Sequence, residues 1–134
     1  MVIANPPWVQ SKFISKSDKE LFHKTYTTAV GQYDLFNLFI EKSHSICKEL
    51  GVVCFITPDR FITNIDYEKI RKYLLKKTSL KQVIALGDGV FENVCMPSAI
   101  LIFQKSLTEN NKVLVSPLFY EKFYEVSQND FKLN

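Results

Sequence analysis

The sequence predicts an α/β fold built on a mostly parallel sheet with an antiparallel last strand. Three observations predict it. Short β-branched runs alternate with segments of helical spacing, and the first three strand exits carry proline or glycine. The longest apolar run, Val52-Val53-Cys54-Phe55-Ile56-Thr57, shows no polar alternation. A strand without alternation is covered on both faces, as in the middle of a parallel sheet. Strand, helix, strand, helix, strand, strand is the order that right-handed crossovers produce.

Val2–Ala4 is a short strand that stops at Asn5-Pro6-Pro7, because a residue before proline is pushed out of the α region. Ser17 and Glu20 stand in S-x-x-E order ahead of Leu21 and Phe22, the pattern of a capping box. Gly31 marks the next break. Asp34 is placed to cap a helix carrying Leu35, Leu38, Phe39, Ile46 and Leu50, with Gly51 where a left-handed cap belongs. Pro58 closes the central apolar run. Asp66 is expected to cap a helix to about Lys77, with Ile65 and Ile70 as a hydrophobic staple and Ile70, Tyr73 and Leu74 facing inward. Strands follow at 82–86 and Ser98–Gln104. The connection between them, 87–97, is too long for a tight hairpin, and loops of that length tend to be functional. Residues 106–112 read as a polar linker, 113–126 as aromatic-rich and ambiguous, and 127–134 as a frayed tail. Four strands are fewer than a free-standing doubly wound sheet has, so residues 1–106 read as half of a domain and 107–134 as a linker or the start of a following segment.

At 134 residues, 46% apolar and 23% charged, the chain is ordinary globular stock, which excludes disordered and collagen-like classes. Lys+Arg 17 against Asp+Glu 14 gives a net charge of +3, which permits an anionic partner without arguing for one. Cys47, Cys54 and Cys95 have no C-x-x-C spacing and read as free thiols of a reducing compartment. No apolar run reaches the roughly 18 residues of a membrane span and no signal peptide is visible. A cytoplasmic location without membrane attachment is the expectation. His23 and His44 lack a partnering cluster of ligands and read as packing or surface residues. Lys69, Arg71, Lys72, Lys76, Lys77 and Lys81 make a basic stretch, by default a solvated helix face and otherwise a phosphate-contacting one.

The most informative feature is Asn5-Pro6-Pro7-Trp8 at a strand exit, whose chance occurrence is on the order of one in a thousand. Taken alone it is a stiff turn or a piece of chemistry. An aromatic exocyclic amine is a poor nucleophile because its lone pair is delocalised into the ring. Two acceptors bonded to that NH2, the Asn5 amide oxygen and the Pro6 carbonyl, would draw its hydrogens out of plane and localise the lone pair. Two consecutive prolines, Pro6 and Pro7, hold the acceptors in fixed relation. Trp8 offers a flat face for a base, worth roughly 1–3 kcal/mol by stacking, and such a base must first leave the duplex.

Val2-Ile3-Ala4-Asn5-Pro6-Pro7-Trp8 resembles the (D/N/S)-P-P-(Y/F/W) motif of S-adenosylmethionine-dependent N6-adenine DNA methyltransferases. The following residues are similar to the TaqI/Eco57I-like branch found in restriction–modification systems. Tyr33-Asp34-Leu35-Phe36-Asn37-Leu38-Phe39-Ile40-Glu41 matches its D-L-(Y/F)-x-x-F-(I/V)-E helix, and Gly51 to Phe61 its G-x-x-x-x-I-x-P strand exit. Val90-Phe91-Glu92-Asn93-Val94 followed by Ser98–Gln104 resembles its later loop and strand. The resemblance covers residues 2 to about 105, in the family's motif order. It implies the C-terminal half of a Rossmann-like methyltransferase sheet, with Asn5, Pro6, Pro7 and Trp8 as catalytic residues. Trp8 and Phe91 would contact a flipped adenine, and Asn5 would also touch the methyl donor. Asp34 would lie near the site wall, and Pro58 and Arg60 could face DNA. Cofactor and partner would be S-adenosylmethionine and double-stranded DNA, with no metal. The Gly-rich donor-binding half and the target-recognition domain are not in this sequence; Gly87-Asp88-Gly89 does not replace the former. The piece alone is expected to be inactive. Two alternatives stand beside this reading: a non-catalytic nucleic-acid-binding or subunit-interaction module, and a methyltransferase acting on RNA or protein glutamine.

Overall fold

The computed structural model describes residues 1–92, 96–118 and 122–131. Six strands form one sheet: β1 (Val2–Ala4), β2 (Val52–Pro58), β3 (Ser79–Gly87), β4 (Ser98–Gln104), β5 (Lys112–Ser116) and β6 (Tyr124–Ser127), in the order β1-β2-β4-β3-β5-β6. Three helices accompany them: α1 (Lys16–Thr25), α2 (Leu35–Ile46) and α3 (Glu68–Lys77). β1, β2, β3 and β5 run one way, β4 and β6 the other. The class is α/β, as expected. The antiparallel strand at Ser98–Gln104 is threaded between β2 and β3, and β6 adds a second one. No helix among the described residues is long and apolar enough to cross a membrane.

Register sorts the apolar side chains onto two faces. Val53, Phe55, Leu101, Phe103 and Val113 face α2 and α3 and meet Phe36, Ile40, Ile70 and Leu74 in one fully buried core. Side chains of that size contribute about 1.5–3 kcal/mol each on burial. On the opposite face Cys54, Ile56, Ile100 and Ile102 are only part-covered, and Ile3 is 67% exposed. The central run therefore lacks polar alternation while one of its faces is incompletely covered.

Several local expectations are corrected. Ser15, not Ser17, caps α1: its Oγ accepts from Asp18 N–H at 3.1 Å and donates to Asp18 Oδ2 at 2.7 Å. Asp34 occupies the N-cap position of α2 without a capping bond, because its carboxylate is engaged elsewhere. The left-handed residue after α2 is Leu50 (φ 62°), not Gly51. Gly51 is required for close approach instead, since a Cβ there would sit 2.7 Å from the Lys48 carbonyl oxygen and collide with the Cys47 thiol. Asn64, not Asp66, caps the 3-10 turn Ile65–Tyr67 that leads into α3. Ile65 is 77% exposed, so no staple forms. β3 begins three residues earlier than read, at Ser79.

The stretch after residue 106 is not a break in the sheet. β5 pairs with β3, and β6 with β5. Gln128 ties the end of β6 to the core. Its Oε1 accepts from Leu80 N–H (2.9 Å) and Asn111 Nδ2 (2.8 Å), and its Nε2 donates to the Leu75 (3.1 Å) and Thr78 (2.9 Å) carbonyls.

Glu41, the last residue of the motif on α2, has a structural use. Its two carboxylate oxygens accept from the N–H and Oγ1 of Thr27 and of Thr28, at 2.7–2.9 Å. These bonds hold the α1–α2 connection down on the helix. Replacing Glu41 by alanine is expected to cost about 1–3 kcal/mol, with faster amide exchange at Thr27 and Thr28 as the local signature. Unchanged exchange there would show that the turn holds without the carboxylate.

Candidate active site

β1 pairs in parallel with β2, Ala4 opposite Phe55, and delivers Asn5 at its C-terminal end. Asn5 and Pro7 are exposed, Pro6 is buried and Trp8 half-buried. The prolines stop the strand, and the chain is caught again by α2. Leu35 N–H donates to the Val9 carbonyl (2.9 Å) and Ser11 N–H to the Tyr33 carbonyl (2.7 Å), around an antiparallel bridge between Gln10 and Asp34. Asn5-Pro6-Pro7-Trp8 thus spans two anchored points.

Phe91 comes from the loop after β3 and meets Trp8 edge-to-face, with ring centroids 5.8 Å apart and planes at 78°. Such a pair adds about 0.5–1.5 kcal/mol beyond area burial. Asn5, Pro6, Pro7, Trp8, Phe91 and Glu92 line one open cleft of about 520 Å³. Asn5, Pro6, Pro7, Trp8 and Phe91 thus meet in one cleft, joined by Glu92, which the sequence did not single out, while Asp34, expected near the wall, does not line it. Asn93, Val94 and Cys95 lie outside the described residues. The Trp8 indole Nε1 is buried and has no partner among the described residues.

The neighbouring strand exits carry charge. Asp59, after β2, is pushed above the usual carboxylate range by burial and by nearby Asp88, with Arg60 opposing. Arg60 does not project freely: its Nη2 donates to Asp34 Oδ2. The same oxygen accepts from Tyr67 OH at 3.1 Å. Burial and then the Asp34 charge push the Tyr67 hydroxyl up to about 12. Pro58 is buried within β2, opposite Ser98.

The basic stretch is not one continuous face. Arg71 is buried and donates to the carbonyls of Phe61 and Asn64, Lys72 pairs with Glu68, and Lys81 donates to Asn111 Oδ1. α3 runs opposite to the parallel strands, so Lys76 and Lys77 lie at the end of the sheet away from Asn5. His44 Nδ1 bonds Tyr73 OH at 2.7 Å, and His23 packs edge-on to Tyr33. Among the described residues no group of three potential metal ligands exists. A larger, apolar groove of about 630 Å³, lined by Val83, Val115, Tyr124, Val126 and Phe131 among others, has Asp130 as its one ionisable carboxyl.

Known proteins resemble this chain in sequence and in fold. The chain is 30% identical over 136 residues to the type II restriction enzyme and methyltransferase RM.Eco57I of Escherichia coli, covering 98% of this chain and 12% of that protein. It is 30% identical over 112 residues to the type II methyltransferase M.TthHB8I of Thermus thermophilus, covering 78% of this chain and 26% of that protein. A protein of Listeria monocytogenes assigned to the class I S-adenosylmethionine-dependent methyltransferases superposes with a TM-score of 0.68 at 25% identity, over 87% of this chain and 36% of that one. The family model of the Eco57I restriction-modification methylases matches residues 1–91. With its strand-exit motif, its aromatic cleft and this match over the same residues, the chain belongs to the Eco57I restriction-modification methylase family.

Proposed function

We propose that this chain is the catalytic-loop half of a DNA adenine-N6 methyltransferase of the restriction–modification kind. It would act on an adenine turned out of double-stranded DNA, with S-adenosylmethionine as methyl donor. The observation that carries the reading is the single cleft in which Asn5, Pro6, Trp8 and Phe91 meet.

The cleft suits a planar, amino-bearing ring. Trp8 offers its face and Phe91 stands almost perpendicular to it. The Asn5 amide oxygen and the Pro6 carbonyl are the acceptors for the ring's exocyclic NH2. Both are held by backbone that needs little reorganisation, which is where preorganised polar groups act most strongly. Between the Asn5 amide oxygen and the Pro6 carbonyl the amino nitrogen would have its lone pair localised for methylation, and its displaced proton would leave to solvent. When bound, the donor supplies an electrophilic methyl group on a positively charged sulfur.

Asn5 is the one residue of the cleft that we assign to that donor as well. No glycine follows β1 at a turn into a helix, and Gly31, Gly87 and Gly89 take their positive φ in other connections. Two features favour completion by further polypeptide. Among the described residues β1 is an edge strand, with β2 as its one neighbour. The sheet face carrying Ile3, Cys54, Ile56, Ile100 and Ile102 is apolar and part-open. A donor-binding half would add strands beside β1 and cover that face, and a target-recognition domain would read the DNA sequence.

The test supplies the complete enzyme with duplex DNA and a methyl-labelled donor, then digests the DNA to nucleosides. Label in N6-methyladenine is expected. Label in RNA or in protein glutamine would move the chain to another substrate class. No transfer at all, from a folded protein that binds DNA and donor, would support a non-catalytic binding module.

A further inference from the structure

Asp34 lies at the start of α2, where an aspartate ordinarily accepts from the first free backbone N–H groups of a helix. It makes no such bond. It is 1% exposed, and its carboxylate is spent on Arg60 Nη2 and on Tyr67 OH at 3.1 Å. The Arg60 guanidinium also lies over the Tyr67 ring, 5.9 Å from its centre. A buried carboxylate is costly unless its charge and lone pairs are matched, so these partners are what allow Asp34 to sit here.

The connectivity gives that pairing a consequence for the cleft. The Asn5–Trp8 segment is anchored at one end by β1 on β2. Its other anchor is the backbone pairing of residues 9–11 with 33–35, centred on Gln10 and Asp34. Arg60 belongs to the 3-10 turn Asp59–Phe61 that directly follows β2. The Asp34–Arg60 bond therefore ties the second anchor to the strand that forms the first. Only four residues, two of them proline, span between the anchors, and a stiff span transmits any relative shift of its ends to Asn5 and Trp8.

We propose that Asp34 is a positioning residue: through Arg60 and Tyr67 it sets the spacing of the two anchors and so the placement of Asn5 and Trp8 in the cleft. Its effect on turnover rests on the catalytic reading of that loop; its effect on loop geometry does not.

Trp8 is the only tryptophan in the sequence, which makes its emission a direct report on the loop. The test compares Asp34→Asn, which keeps the shape and removes the charge, with Arg60→Met, which leaves Asp34 bonded to Tyr67. Leu74→Ala, a core truncation away from the loop, is the control for general destabilisation. Asp34→Asn and Arg60→Met are expected to red-shift Trp8 emission and raise its quenching by acrylamide at temperatures where the protein is folded, while Leu74→Ala leaves both unchanged. Arg60→Lys, which keeps a cation opposite Asp34, should restore the wild-type emission in part. In the complete enzyme Asp34→Asn should lower kcat about 10–100-fold, the scale of a misplacement near 1 Å, with KM for DNA little changed.

Should Asp34→Asn fail to fold, Arg60→Met alone decides. Wild-type emission and quenching in the folded variants, or the same shift in Leu74→Ala, would overturn the proposal. Full turnover in Asn5→Ala would instead overturn the catalytic reading and leave the Trp8 result standing.

Discussion

Replacing Asn5 by alanine is expected to lower methyl transfer about 10²–10³-fold, the loss seen when one preorganised polar group is removed from a reacting centre. Affinity for duplex DNA should stay within a few-fold, because on the proposed reading Trp8 and Phe91, which this substitution leaves in contact, would still hold the base, and phosphate contacts dominate DNA affinity. The expected split, a fall in kcat with little change in KM, is that of an interaction made mainly in the transition state. Asn5→Asp keeps an acceptor oxygen at the same reach and should retain much more activity than Asn5→Ala. Single-turnover transfer and a DNA-binding isotherm on the same preparations check the split. Equal turnover in wild type and Asn5→Ala would remove the role assigned to this amide.

Gln128→Ala is the second large effect. Three backbone groups of the core, Leu80 N–H and the Leu75 and Thr78 carbonyls, would each lose a partner, as would the Asn111 amide. Unsatisfied buried polar groups cost about 1–3 kcal/mol each. Water can replace part of this at a half-buried site, so we expect a net loss of about 2–4 kcal/mol, or a fall in Tm of about 6–16 °C for a chain of this size. Gln128→Glu would retain the two bonds accepted by Oε1 and lose the two donated by Nε2, and should fall between. Thermal unfolding followed by circular dichroism measures both. A Tm equal to that of wild type would mean that β5 and β6 are an appendage to the folding unit.

The two effects differ in how much of their basis lies in neighbouring residues. The Asn5 prediction rests on local sequence. Val2–Ala4 must stop at Asn5 because proline follows, and a pair of prolines with an aromatic after them makes one stiff presenting turn. That logic needs only neighbouring residues. Gln128 had no local signal, since a glutamine after a short polar-aromatic strand reads as surface. Its four partners come from α3, the start of β3 and the start of β5, which only chain folding brings together.

The same distinction explains the misread caps. Ser15, Ser17, Asn64 and Asp66 are all competent capping residues, and spacing alone does not rank them; the entry angle of the chain does. Asp34 is the sharpest case. Its position at the head of α2 was legible, but its carboxylate chose a part-buried guanidinium over helix N–H groups because Arg60 and Tyr67 arrive there from the connection that follows β2.

By itself the sequence determined the α/β class, the apolar core strand Val52–Pro58, and the proline-locked turn that carries Asn5 and Trp8. Periodicity and proline stereochemistry act over a few residues, so they survive without a fold. Only the tertiary structure decided that Phe91 closes on Trp8, that Asp34 is tied to Arg60, and that β5 and β6 extend the sheet past residue 106. Each of those depends on residues distant in the chain meeting across a strand or a loop. Their pairing energies come from burial and from matched polar groups, neither of which exists until the sheet has formed.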